Sequence, residues 1–116
     1  MSLASYKQVR KGKDMELKDT TLLMNSDNYI ERFLAEYLQT KIRYEKLKAL
    51  NTKIEAANST ICFSLEGKGN HVEMPKHDCP ENILREQQSI MGQYLHILEL
   101  RAVIEGIDLE EAWKLL

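Results

Sequence analysis

Pro80 and Gly106 bracket the run ENILREQQSIMGQYLHILELRAVIE, which holds no second proline and keeps its apolar spacing throughout. Such a run constrains the chain more than any other feature in it. Proline loses nothing at a first helical position, because its missing N–H has no intrahelical partner there. The sequence predicts a helix over about 80–105, capped by Asp78 or Cys79. Ile83, Leu84, Ile90, Met91, Tyr94, Leu95, Ile97, Leu98, Ala102, Val103 and Ile104 recur at three- and four-residue spacings along it. Gly106 ends it by taking a left-handed conformation. Asp108 then caps a short helix over 109–115, with Glu111 placed for a capping box. Trp113, Leu115 and Leu116 are expected to dock on the hairpin end.

A second long helix is predicted over about 27–57, capped by Ser26 or Asp27. Its apolar residues form two adjacent rows. Phe33, Tyr37, Tyr44 and Leu47 make one, and Ile30, Leu34, Leu38 and Ile42 the other. Both prolines of the chain, Pro75 and Pro80, fall between the two helices. The intervening 59–75 changes character. Ile61, Phe63 and Leu65 alternate with polar neighbours as in a strand. Gly67-Lys68-Gly69-Asn70 reads as a turn, and His71-Val72-Glu73-Met74 as a returning strand stopped by Pro75.

The expected fold is mainly α: an antiparallel hairpin of two long helices, a short β-hairpin insert and a short C-terminal helix. Residues 15–116 make one domain, behind a basic arm at 1–14. The apolar faces of both helices are wider than one partner helix can cover. Self-association follows, most simply a dimer forming a four-helix bundle. Phe33, Tyr37, Tyr44, Leu47, Ile90, Tyr94, Ile97 and Arg101 are the candidate interface. The rival is a monomer in which the N-terminal arm and C-terminal helix cover the surplus. Arg101 and Tyr94 sit within an otherwise apolar row, where a charge must pair or reach water.

The net charge of -2 gives no overall field for nucleic acid or an anionic membrane. No apolar run reaches the length of a bilayer span, and no export signal opens the chain. Residence in the cytoplasm of a bacterial host, with Cys62 and Cys79 as free thiols, is the expectation. The arm MSLASYKQVRKGKD carries Lys7, Arg10, Lys11 and Lys13 against Asp14. It reads either as a contact for nucleic acid or an acidic partner, or as an unstructured or non-native terminus preceding a second start at Met15.

Cys62, His71, His77 and Cys79 are four zinc-capable residues on the insert, but without the paired spacing of a zinc site. No metal or cofactor is assigned from them. No nucleophile elbow, phosphate loop or dinucleotide fingerprint is present, so no enzyme is predicted. Arg43, Tyr44, Arg85 and Arg101 are the candidate ligand residues: arginine forks grip phosphate and tyrosine stacks on a base. The alternative pairs the arginines with Glu36, Glu45, Glu99 and Glu105 in salt bridges.

Three pieces carry a family likeness: MELKDTTLLMNSD (15–27), NYIERFLAEYLQTKIRYEKLKAL (28–50) and CPENILREQQSIMGQYLHILELRAVIEGIDL (79–109). In that order they resemble small proteins of phages and prophages of gut and other Firmicutes, labelled as related to a protein of crAss-like phages. The likeness covers about two-thirds of the chain and matches 59–76 least. It implies a phage accessory protein and assigns no reaction. The expected function is non-enzymatic interaction with a host or phage protein, such as a component of a host defence system. One alternative is an oligomeric sponge for a nucleotide-type signal. Another is nucleic-acid binding through the basic arm.

Overall fold

The computed structural model describes residues 16–65, 67 and 72–112, with the backbone alone for 62–65 and 112. A 3-10 turn (Leu17–Thr20) leads into α1 (Thr21–Met24), followed by α2 (Tyr29–Leu65), α3 (Glu81–Glu105) and α4 (Leu109–Ala112). The two long helices pack antiparallel as one elongated hairpin, 58 × 31 × 23 Å.

Asn28 caps α2, in place of the Ser26 or Asp27 read from sequence. Its Oδ1 accepts the backbone N–H groups of Ile30 (2.8 Å) and Glu31 (3.3 Å). Ser26 supports the turn from outside: its Oγ accepts the Asn28 N–H and donates to Glu31 Oε1. Pro80 takes the N-cap position of α3, in place of the Asp78 or Cys79 read from sequence, so the helix starts one residue later than expected, at Glu81. At the other end Gly106 has φ 72°. The Ile107 N–H then reaches back to the Ala102 carbonyl at 2.8 Å, closing a Schellman turn. Ile107 is buried beneath it. Asp108 caps α4 as expected, its Oδ1 accepting the Glu110 N–H at 3.0 Å.

The expected strand at 59–66 is not formed. α2 continues to Leu65, so Ser59–Leu65 is helical. Three alternating apolar residues fit a strand over that span, but no glycine or proline interrupts the preceding helix before Gly67. Adding a residue to an existing helix is far easier than starting new structure. Val72, Glu73 and Met74 lie in irregular backbone, and no strand occurs among the described residues. The basic arm, His71, the Gly69 turn, Trp113, Leu115 and Leu116 lie outside the described residues.

The principal core sits at the Gly106 end. Leu98 and Leu38 are fully buried there, with Phe33, Leu34, Ala35, Tyr37, Leu95 and Ala102 around them. Leu23 of α1 closes this cluster from the side, and Thr20 is fully buried beside it. Gln39 Nε2 donates to Thr20 Oγ1 at 2.9 Å, fastening the lead-in segment to α2. The lead-in thus covers part of the second apolar row of α2: Leu34 and Leu38 are buried in the same cluster as Leu23, while Ile30 keeps 47% of its surface exposed. Phe33 and Tyr37 lie inside this core, which corrects their place in the expected oligomer interface. The far half of the hairpin is held by Ile54, Ala57 and Leu84. Asn58 Nδ2 donates to Glu81 Oε1 at 2.9 Å, setting Asn58 level with the start of α3. α2 runs two more turns past that point.

Candidate functional site

Three rows run along α3. Leu84, Leu95, Leu98 and Ala102 are buried against α2. Ile83, Ile90, Ile97 and Ile104 form a second, exposed row. The third flank carries Arg85, Ser89 and Gly92, which with Gln88 and Tyr44 of α2 line a shallow groove of about 310 Å³.

The groove exists because position 92 is glycine. A Cβ there would lie 3.3 Å from Tyr44 Cε1, tighter than ordinary van der Waals contact. The bare helix backbone lets the tyrosine ring lie against α3. Tyr44 is half-buried, and its hydroxyl has no hydrogen-bond partner among the described residues. Arg85 is 63% exposed and, among the described residues, pairs only with Glu81, at 3.8 Å. An exposed pair of that kind contributes little and leaves most of the guanidinium fork open. Asn51, buried between the helices, donates from Nδ2 to the Leu84 carbonyl (3.1 Å) and to Gln88 Oε1 (2.8 Å). That bond fixes the Gln88 amide with its NH₂ group left to donate. The groove therefore collects a phenol O–H, a guanidinium, an amide NH₂ and the Ser89 hydroxyl around an aromatic face. Such a set suits an anionic or acceptor-rich planar ligand.

Of the four candidate ligand residues, the structure brings Tyr44 and Arg85 together. Arg43 is exposed, and one residue further round α2 turns it by about 100° from Tyr44. Arg101 lies about 24 Å along α3 from Arg85. There it joins a different cluster. Its Nη2 donates to the Tyr29 hydroxyl (2.8 Å), its Nε to Glu105 Oε2 (3.3 Å), and its guanidinium lies 5.0 Å from the Phe33 ring centre. The Tyr29 hydroxyl in turn donates to Glu105 Oε1 at 2.6 Å. That bond is the main reason the Tyr29 pKa is raised. Tyr94 donates to Glu36 in the same way, with the same effect on its phenol. Arg101 thus pairs within its own chain, as the salt-bridge alternative has it.

The rest of the candidate interface divides. Tyr44 and Leu47 are half-buried, while Ile90, Tyr94, Ile97 and Arg101 are exposed. Of the zinc-capable set, the Cys62 side chain and His71 lie outside the described residues. His77 holds the Pro75 carbonyl through Nδ1 (2.8 Å), and Cys79 is a half-buried free thiol. No group of three metal-capable side chains occurs among the described residues. Asn51, Gln88, Ser89 and Gly92 were not singled out as ligand residues from sequence. A polar residue at a core spacing on α2, Asn51, and a glycine within α3, Gly92, are the signals that mark them.

Fold and groove together define a small helical-hairpin protein with a donor-rich cleft and no helix, among the described residues, long and apolar enough to cross a membrane. A family model described as Sequestin matches residues 49–104, a little under half of the chain. The matched stretch takes in nearly half of α2, the connector and nearly all of α3. It includes Asn51, Arg85, Gln88, Ser89 and Gly92, and leaves Tyr44 just outside. The comparisons with curated proteins and with solved structures give no match.

Proposed function

We propose that this chain is a phage or prophage accessory protein that acts without catalysis. It holds a small anionic, nucleotide-type signal in the groove between Tyr44 and Arg85, and so withdraws that signal from a host defence system. One observation carries the reading: four hydrogen-bond donors, those of Tyr44, Arg85, Gln88 and Ser89, line a single cleft beside an aromatic ring. In a chain with a net charge of -2, such a local excess of donors is directed at a ligand rather than at a general anionic surface. The family description Sequestin, a word built on sequestering, agrees in sense, and its match spans most of the groove. Tyr44 stacks on a base, Arg85 forks onto phosphate, and Gln88 and Ser89 meet the ligand's acceptors. The second reading, an interaction scaffold for a host or phage protein, draws on the exposed isoleucine row of α3.

The test is calorimetry and thermal shift with a panel of linear and cyclic nucleotides. A ligand at a hundred times its Kd stabilises the folded chain by about 2.7 kcal/mol. Arg85→Ala abolishes that shift while leaving the unliganded melting temperature near wild type. Tyr44→Phe keeps the stack and weakens binding. Absence of stabilisation by every nucleotide in the panel overturns the reading.

A further inference from the structure

We infer that the exposed isoleucine row of α3 is the contact between two copies of this chain, packed antiparallel about a two-fold axis that passes between Gln93 and Tyr94. This interface is separate from the ligand groove, which lies on the opposite flank of α3, and it does not depend on any ligand.

Ile83, Ile90, Ile97 and Ile104 recur every seven residues and keep 46%, 57%, 50% and 81% of their surface exposed. Seven residues is the repeat that holds a seam toward a partner helix. The lead-in segment covers part of the surplus face of α2, but the isoleucine row of α3 has no such cover among the described residues. With Tyr94 and Leu100, also exposed, the row presents an apolar face of several hundred Å², at the upper end of what monomers leave open and a large part of the ~800 Å² per partner in a standard interface. Ile83 and Ile90 also line a shallow groove of about 340 Å³ with Glu86, Gln87 and Met91, a recess that fits knobs from a facing helix.

Charge sets the direction. In the antiparallel pairing Ile83 faces the partner's Ile104 and Ile90 faces the partner's Ile97. The same register sets Glu86 level with the partner's Arg101, within reach of two long side chains. A parallel pairing sets Glu86 level with its own copy and Arg101 with its own copy, bringing like charges together. Arg101 remains 44% exposed at its side chain while bound to Tyr29 and Glu105, so it is available for the second carboxylate.

Sedimentation equilibrium and light scattering at tens of micromolar test the contact. The wild-type chain is expected to have the mass of two copies. Ile90→Glu with Ile97→Glu is expected to weaken the dimer by about thirtyfold or more. Both positions are half-exposed, and circular dichroism verifies that the variant keeps its helix. Cysteine cross-linking, with wild type as control, tests direction. Gln93→Cys, beside the axis, is expected to link to its own copy. Ile83→Cys is not, because the two copies of position 83 stand about 31 Å apart along the helices. A monomeric wild-type chain overturns the inference and leaves the row to another segment of the same chain. A dimer unaffected by the Ile90 and Ile97 substitutions overturns it as well, as does efficient Ile83→Cys linkage.

Discussion

Asn51 reaches across the hairpin and donates to the backbone carbonyl of Leu84, thirty-three positions away in sequence, at 3.1 Å. The same amide nitrogen donates to Gln88 Oε1 at 2.8 Å, so one buried side chain both registers the helices and orients a groove residue. Asn51→Leu is expected to cost about 1–2 kcal/mol, the range for losing a buried hydrogen-bonding group. Asn51→Asp turns a donor into an acceptor facing the Leu84 carbonyl. Its carboxyl is then favoured in the protonated form, with a folded-state pKa above the ordinary value. The unfolded chain releases that proton first as pH rises, so the variant loses stability through the carboxylate range and above it. Urea midpoints of Asn51→Asp against wild type at low and neutral pH check this: the gap narrows in acid.

Gly92 separates groove shape from helix stability. Alanine gains about 1 kcal/mol of helix propensity over glycine. Its Cβ would meet Tyr44 Cε1 at 3.3 Å. The tyrosine ring is half-buried at a groove edge and has room to move outward by the few tenths of an ångström required. Gly92→Ala is therefore expected to raise the melting temperature slightly while weakening nucleotide binding. Gly92→Leu fills the cleft, displaces the ring, and is expected to lower both. Melting and titration of the two variants test the pair of outcomes.

Tyr37 titrates with the fold. Burial, reinforced by the negative charges of Glu99 and Glu45, pushes its phenol from 10.0 up to about 12. Between those values the unfolded chain loses the proton and the folded chain keeps it. The stability held below pH 10 is thus lost progressively as pH rises toward 12. Absorbance at 295 nm is expected to show late tyrosine ionisation, its last part coincident with loss of helix, and Tyr37→Phe to remove that last part while Tyr29 and Tyr94, also raised, still ionise late.

Gly106 is held at φ 72°, and a Cβ added there meets nothing within 4 Å. The cost of Gly106→Ala is therefore that of the backbone conformation alone, about 1–2 kcal/mol. Melting should fall by some 4–8 °C per kcal/mol for a domain of this size. A similar loss from Gly106→Asn would argue against the left-handed turn, because asparagine tolerates it better.

The long helices were legible because their punctuation is local: Pro80 and Gly106 bound α3, and the three-and-four spacing of Leu84, Leu95, Leu98 and Ala102 marks its buried face. The strand read into 59–66 failed for a physical reason. Period two over Ile61, Phe63 and Leu65 is too short a sample to outweigh the cooperativity of a helix already under way. Phe33 and Tyr37 were assigned to an oligomer interface because sequence gives the width of an apolar face but not which segment covers it. Thr20 and Leu23, in a lead-in with little periodicity of its own, do part of the covering. The groove was half legible. Tyr44 and Arg85 stood out by residue type, whereas Gly92 and Asn51 matter through a neighbour on the other helix.

The hairpin has unequal ends. Near Gly106 the Schellman turn, the Tyr29–Arg101–Glu105 cluster and the densest packing act together. At the other end α2 runs on for two turns past Asn58, beyond the start of α3. Unfolding should therefore be directional, peeling from the Asn58 end toward Gly106. Amide exchange would fall off as a gradient along both helices. The Tyr44 groove lies partway along it, so a bound ligand would act as a staple, slowing exchange across the weaker half while scarcely altering the stronger one.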